Sequence, residues 1–513
     1  MPGKYQNTGN GPAARNNSNI PVSPQFAELQ ARSANRQKKN RRPKWQRVLR
    51  RYWPPIRFGL LCLLLVLVLF FAIKFVVSLF PGGKNNDDPK ETTASTTLPP
   101  ETLSQEEIQE NIDALLIQAD SMAAGYDYLG AIELIKSSEY FDPANADMSS
   151  KIAHYETEDA KLVSYPNMNQ ITHVFFHSLI VDTARAFDGD YTEKGYNLYM
   201  TTIDEFNKIL EHMYERGYVL VSPYDVAYEV TDETGTHFTY GDIRLPEGKI
   251  PFIMSQDDVN YYGYMIGDVD PEYIRPASPH PEGDGFAHKL VIGEDGYPTC
   301  EYMDAQGNIT TGDYDLVPIV EKFIQEHPDF SYHGARAVLG MTGYEGVFGY
   351  RTKPSYEQEL GSEAFRKEIE QAKEVAQCLR DHGWILASHS YGHPSYGEIS
   401  AEKVAADVQK WEDTVESVIG KCDIILYPNG SDVAGTNKYT MDNEKFKAMY
   451  DSGLRYFFNV DSNVYWSQLG DTYYRGGRRN LDGYRMYNHP HLLDDLFPVE
   501  EVFDKARPTP ISF

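Results

Sequence analysis

The sequence predicts an α/β protein built on a parallel sheet or barrel and tethered to a membrane by one helix. Three observations carry this: strand-like apolar runs alternate with amphipathic helical stretches from about residue 166 to 460; carboxylates and imidazoles follow directly on several of those runs; and one unbroken apolar stretch of 23 residues lies near the N-terminus. Alternation of strand and helix specifies parallel strands, and such folds carry their functional loops at the carboxyl ends of those strands.

The 513 residues exceed one average domain, and 41% apolar residues with 13% aromatics suffice for a large core, which excludes disorder throughout. The net charge of -27 is unevenly spread: residues 1–57 hold thirteen of the 48 Lys and Arg but only Glu28 of the 75 acidic residues. The two parts therefore face different surroundings. Between them lies "FGLLCLLLVLVLFFAIKFVVSLF", residues 58–80, with Lys74 as its one charge. As a helix it is roughly 34 Å long, enough to cross a bilayer. Fifty-seven preceding residues are too many for a signal peptide, and no small-x-small cleavage site follows, so the stretch reads as an uncleaved anchor. The cluster "RQKKNRRPKWQRVLRRYWPPIR" before it places residues 1–57, read as disordered, in the cytoplasm and everything after the helix outside the cell. Its juxtamembrane position assigns that charge to topology and anionic lipid, not to nucleic acid.

Residues 81–104, rich in Pro, Thr, Gly and charge, read as a flexible linker. Residues 105–165 show helical periodicity around a Gly-Tyr-Asp-Tyr turn, predicting two short amphipathic helices. Ala119, Ala131 and Pro143, twelve apart, resemble a tetratricopeptide hairpin; a plain helical spacer or a pair packed on the next domain fits equally. As a repeat unit it would bind a protein partner. Cys62 falls in the apolar span and Cys300, Cys378 and Cys422 beyond it, so no disulfide framework supports the exported part.

From residue 166 to 513 the chain reads as the catalytic domain. Strands are predicted at "ITHVFFHSLIV", "IPFIMS", "GARAVLG", "WILASHS", "DIILYPNG" and "RYFFNV", with helices at "TTIDEFNKILEHMYERGYV", "AFRKEIEQAKEVAQCLRDHG", "AEKVAADVQKWEDTVESVIG" and "EKFKAMYDSGL". An insertion near 266–315 contains the hairpin pattern "KLVIGEDGYPTCEYMDAQGNIT".

Three strand ends carry chemistry. "SQDDV" puts Asp257 and Asp258 after an apolar strand, "SHSYGH" puts His389 and His393 four apart, and "YPNG" places Tyr427 and Pro428 at a third end. Two imidazoles and a carboxylate leave coordination positions open on a divalent cation, the arrangement hydrolytic sites use to activate water. Adjacent residues at a strand end point apart, so one aspartate can serve as ligand and its neighbour as base.

These motifs resemble the polysaccharide deacetylases of the NodB-homology type, carbohydrate esterase family 4: "SQDDV" is similar to Thr-Phe-Asp-Asp-Gly, "SHSYGH" to Ser-His-Thr-x-x-His, and "YPNG" to an aromatic-Pro-x-Gly motif. The resemblance spans roughly residues 171–459. It implies a distorted (β/α) barrel of about seven strands and metal-dependent removal of acetyl groups from N-acetylated sugars. Carried over by position, Asp257 is the general base; Asp258, His389 and His393 are the metal ligands; and the Tyr427 amide donates to the oxyanion beside Pro428. Zinc is the expected metal, with cobalt, nickel and iron also suited to this donor set. His491, with His489 as runner-up, is the expected general acid. Asp461 and Trp466 are expected to orient the pocket or bind sugar, and His177 reads as a hydrogen-bonded core histidine. Tyr261, Tyr262, Tyr264, Tyr391 and Tyr396 offer flat rings to a sugar. Gln256 and Val259 depart from the family's Phe and Gly, and the third motif lacks the arginine that orients the base in many members. The implied substrate is cell-envelope glycan, N-acetylated peptidoglycan sugars first. The rival readings are an inactive glycan-binding or scaffolding barrel and an O-acetyl esterase.

Overall fold

The computed structural model describes residues 104–267 and 283–513. The basic segment, the membrane span and all but the last residue of the linker lie outside these. Among the described residues, no helix is long and apolar enough to cross a membrane.

Seven parallel strands close into a barrel. They are β1 (Thr172–Phe176), β3 (Ile250–Gln256), β4 (Val338–Met341), β5 (Ile385–Ser388), β6 (Ile424–Leu426), β7 (Tyr456–Val460) and β8 (Tyr474–Asn480), with β2 (Tyr218–Leu220) as an extra strand. The ring runs β3-β4-β5-β6-β7-β8-β1 and back to β3. The distortion sits on β3: its first half pairs with β2, Tyr218 opposite Ile250, and its second half with β4, Val338 opposite Ser255. One edge of β3 thus serves two neighbours in succession.

Period-2 alternation sorts the side chains. Ile253, Val338, Ala387, Ile424, Leu426, Tyr456, Phe458 and Tyr474 pack together as one apolar cluster, while Val174, Phe176, Phe252 and Met254 face the helices outside. Those helices are α4 (Ile203–Glu215), α5 (Leu316–Glu326), α6 (Ser362–Asp381), α7 (Ala401–Trp411) and α8 (Glu444–Asp451). The start of α4 is fixed by a capping box in which Thr202 and Glu205 satisfy each other's backbone N–H. Glu205 is also fully buried against Arg507 at 2.6 Å, which ties the C-terminal tail to this helix.

The predicted hairpin is three helices, α1 (Gln105–Ala124), α2 (Tyr128–Ser137) and α3 (Ala146–Asp159). Asp127 caps α2 through the Gly130 N–H, and Asn145, two residues after Pro143, caps α3. Ile112, Leu116, Ala119 and Ala123 line one face of α1 and share a small core with Ala131, Ile135, Met148 and Tyr155. The helices dock on the barrel: the Gly125 carbonyl accepts from the His333 N–H at 2.8 Å, Tyr126 donates to the Asp329 carbonyl at 2.9 Å, and Arg244 pairs with Asp159 at 2.9 Å. At Gly125 the approach is close: a Cβ would stand 3.0 Å from the Ser331 carbonyl oxygen, so a larger residue would press on that backbone.

The insertion forms three antiparallel strands, Ala287–Ile292, Pro298–Met303 and Ile309–Gly312, as the hairpin pattern predicts. Cys300, Cys378 and Cys422 are free and buried.

Candidate metal centre

The site gathers at the carboxyl ends of β3, β5 and β6. Inward alternation along β3 runs Ile253, Ser255, Asp257, so Asp257 points into the barrel, and its N–H continues the pairing with β1 by donating to the Phe176 carbonyl at 2.9 Å. There it meets Arg478 of β8, whose two terminal nitrogens donate to Oδ1 and Oδ2 at 2.6 and 3.0 Å. Arg478 is fully buried, lies over the Phe175 ring at 4.4 Å and also contacts Ser255 Oγ at 3.3 Å. Burial alone would raise the Asp257 carboxyl. Arg478, then His389, outweigh it and hold the carboxyl well below the usual range. Asp257 is therefore a charged, fixed carboxylate.

Asp258 turns the other way. It takes φ +60°, a left-handed conformation that costs a residue with a Cβ about 1–3 kcal/mol. The family's glycine has no equivalent here: Asp258 makes the turn itself, and Val259 is buried with its N–H on the Gly340 carbonyl at 3.0 Å. Gln256 likewise has a role, donating to the buried Asp315 carboxylate, which also accepts from the Leu179 N–H and the Tyr261 hydroxyl. The two departures leave the aspartates in place.

His389 is buried at the end of β5, and its Nδ1 lies 2.7 Å from the Leu426 carbonyl. A carbonyl only accepts, so the proton sits on Nδ1 and Nε2 keeps its lone pair, 3.9 Å from Asp257 Oδ2. His393 follows after a loop in which Ser390 and His393 itself are left-handed. Asp407 of α7 holds that loop: its carboxylate accepts from the N–H groups of Tyr391 and Gly392 at 2.8 and 2.9 Å and from Tyr396. Burial pushes the His393 imidazole down to about 4, so it stays neutral, the ligating form, at neutral pH. One ligand atom each of Asp258, His389 and His393 lies within 4.8 Å of the others, close enough for one ion to bridge. This mixed nitrogen and oxygen set, with one imidazole fixed in its ligating tautomer, fits a divalent cation.

The arginine that the third motif lacks is supplied by β8, a strand the sequence pattern did not predict. The Tyr427 amide is not an oxyanion donor in this structure: it donates to the Phe458 carbonyl at 2.8 Å as part of the β6–β7 pairing. Its side chain is buried against the Tyr439 hydroxyl at 2.8 Å. Beyond Pro428, which is buried at the start of the turn, Asn429 is left-handed and its N–H meets no acceptor. Trp466 stacks on the Arg475 guanidinium at 4.7 Å. Arg475 and Arg478, three apart on β8, face opposite sides of the sheet, so Trp466 lies outside the barrel and not over the triad. Asp461 caps its own turn through the Asn463 N–H at 2.7 Å.

His491 is exposed on a short turn, and its ring neighbours His489 at 6.3 Å. Near Asp257, His393 and Asp482 lies a further imidazole, His177, one residue past β1, half-buried with Nδ1 3.1 Å from the Tyr199 carbonyl. The Tyr199 carbonyl holds the proton on Nδ1, so Nε2 carries a proton only in the imidazolium form. The tyrosines after the aspartates are not a sugar-facing patch: Tyr261 and Tyr262 are buried, bonded to Asp315 and Asp258.

Residues 362–453, from α6 to the residues just after α8, match the polysaccharide deacetylase family and include His389, His393, Tyr427 and Pro428. No curated protein matches the chain. Two solved structures are similar to it. A Streptococcus pyogenes deacetylase, PplD, in complex with acetate is 14% identical over 66% of this chain and 100% of its own, with a TM-score of 0.33. A mutant of BA3943, described as a CE4 family pseudoenzyme with restored enzymatic activity, is 12% identical over 33% of this chain and 68% of its own, with a TM-score of 0.17. Residues 362–453 thus carry a polysaccharide deacetylase match, and they lie within the closed barrel whose strand ends bring the triad together.

Proposed function

We propose that the protein is a metal-dependent deacetylase of a cell-envelope polysaccharide, with the N-acetyl sugars of peptidoglycan as substrate and Zn2+ as the metal. The observation that carries this reading is the convergence of Asp258, His389 and His393 from two strand ends far apart in sequence, with the Asp257 carboxylate 3.9 Å from one of the imidazoles. The membrane span and basic flank, read from sequence, place the barrel outside the cell on a short tether, within reach of the wall.

Asp258, His389 and His393 would hold the cation. When bound, it supplies Lewis-acid polarisation of the acetyl carbonyl and acidifies water. The rest falls to the chain's own groups. Asp257, kept ionised by Arg478, takes a proton from the attacking water as its oxygen bonds to the acetyl carbon. The Asn429 N–H, which has no acceptor of its own at this strand end, takes the oxyanion-donor role that the resemblance gives to Tyr427. His177, as the imidazolium with Nδ1–H on the Tyr199 carbonyl, delivers the Nε2 proton to the sugar nitrogen as the C–N bond breaks, giving acetate and an amine, and the proton taken by Asp257 restores the charge balance of the site. An inactive barrel is disfavoured because Gln256 and Val259 have structural roles that leave both aspartates aimed at the site.

The test is acetate release from N-acetylated chitooligosaccharide and from peptidoglycan fragments by the purified full-length chain, alongside Asp257→Asn. Loss of turnover in Asp257→Asn with zinc content unchanged supports the assignment; full turnover in that variant refutes it. A wild-type chain that binds zinc but releases acetate only from an O-acetyl ester moves the reading to esterase.

A further inference from the structure

The carboxylate of Asp258 has a partner that the chemistry above does not use. Its Oδ1 accepts from the Tyr262 hydroxyl at 2.6 Å, and that hydroxyl lies 2.7 Å from Thr342 Oγ1. A phenol has one proton and a carboxylate can only accept, so the proton points at Asp258, and of the two acceptors open to the single Thr342 proton, the phenol oxygen at 2.7 Å and Asn260 Oδ1 at 3.4 Å, the nearer phenol oxygen takes it. The order Thr342 to Tyr262 to Asp258 is thereby fixed.

Both supports are rigid. The Tyr262 ring is buried, stacked on Tyr264 at 5.9 Å with 9° between planes and edge-on to Tyr344. Thr342, fully buried one residue past β4, is held by Asn260: its N–H donates to Asn260 Oδ1 at 3.0 Å, and Asn260 Nδ2 donates to its carbonyl at 3.0 Å. Asp258 itself sits on a left-handed backbone that sets its direction but not the rotation of its carboxylate.

We propose that Tyr262, braced by Thr342, is the positioning residue of the metal centre: by donating to Oδ1 it fixes the rotation of the Asp258 carboxylate and so the face that the carboxylate would present to the cation. The inference rests on the metal-centre reading. Partners behind a metal ligand typically govern about 10- to 100-fold in metal affinity. Coupled members of one hydrogen-bond chain also give non-additive effects, whereas independent packing roles add.

The experiment measures Zn2+ affinity of the full-length chain by competition with a chromophoric chelator, for wild type, Tyr262→Phe, Thr342→Val, the double variant and Asp258→Ala. Expected are a roughly 10- to 100-fold weaker affinity in Tyr262→Phe, a smaller loss in Thr342→Val, and no further loss when the second change is added to the first. Wild-type affinity in Tyr262→Phe, or additive losses in the double variant, overturns the proposal while the metal centre stands, provided Asp258→Ala has lost the ion. A wild-type chain that binds no zinc overturns the metal-centre reading itself, and that appears before any variant is compared. If Tyr262→Phe does not fold, Thr342→Val decides alone: wild-type affinity there overturns the proposal.

Discussion

Replacing Arg478 with Met tests the electrostatics of the site directly. The side chain is fully buried and makes two charge-assisted bonds to Asp257, at 2.6 and 3.0 Å. Bonds to a charged group contribute about 1.5–3 kcal/mol each, giving about 3–6 kcal/mol for the pair. Breaking a buried ion pair by removing one partner costs about 3–5 kcal/mol, because the other charge is left uncompensated. The two figures agree, so Arg478→Met should lose about 4 kcal/mol of stability at neutral pH. The sign with pH follows from the direction of the shift. In the wild type the Asp257 carboxyl is depressed, so the pair's contribution is fully present above the ordinary carboxylate range and is lost only as pH falls well below it. In the variant, burial has lost its main opponent and the carboxyl moves up, so protonation begins at higher pH and the acid limb of acetate release moves upward. Urea unfolding followed by tryptophan fluorescence reads the first effect, and the pH profile of kcat/KM reads the second. Adding Asp257→Asn to Arg478→Met should recover part of the stability and none of the activity. An Arg478→Met chain within 1 kcal/mol of wild type, with its acid limb unmoved, would refute the reasoning.

Two further outcomes follow from the same geometry. His177→Ala should lower kcat by about 10²- to 10⁴-fold, the usual contribution of a positioned acid, while His491→Ala stays near wild type; acetate release under saturating substrate separates them, and the reverse order would restore His491 as the acid. Because burial pushes the His393 imidazole down to about 4, its ring should stay neutral as pH falls through 6 and 5 and take a proton only as pH approaches that value, read from the His393 ring resonances of the metal-free chain; titration of that ring near 6.5 would contradict the burial argument.

The strands that carry Asp257, Asp258, His389 and His393 were legible because each is an apolar β-forming run that ends abruptly in polar residues. β8 was not. "YRGGRRN" holds two glycines and three arginines, which propensity assigns to a loop. It is a strand because each buried arginine finds an acceptor: Arg475 the Gly435 and Asn437 carbonyls, Arg478 Asp257, and Arg479 Asp495. Those acceptors lie 16 to 221 residues away, beyond any local window. The same blindness to distant partners explains the tyrosines. Spacing put Tyr261 and Tyr262 beside the site, but only the tertiary structure shows their hydroxyls turned inward to Asp315 and Asp258. The Tyr427 amide failed as a donor for a simpler reason: a strand-end N–H is free only when the next strand stops short, and β7 does not.

The last strand of the barrel bears on how the protein is made. β8 joins β7 to β1, the most recently synthesised neighbour to the earliest, and brings the guanidinium that neutralises Asp257. Until the ribosome has passed residue 478, a nascent chain holds both aspartates and both imidazoles yet has neither a closed wall nor a counter-charge. Hydrolytic competence thus waits for β8, and a product terminated before residue 478 would be inert however well its earlier strands had formed.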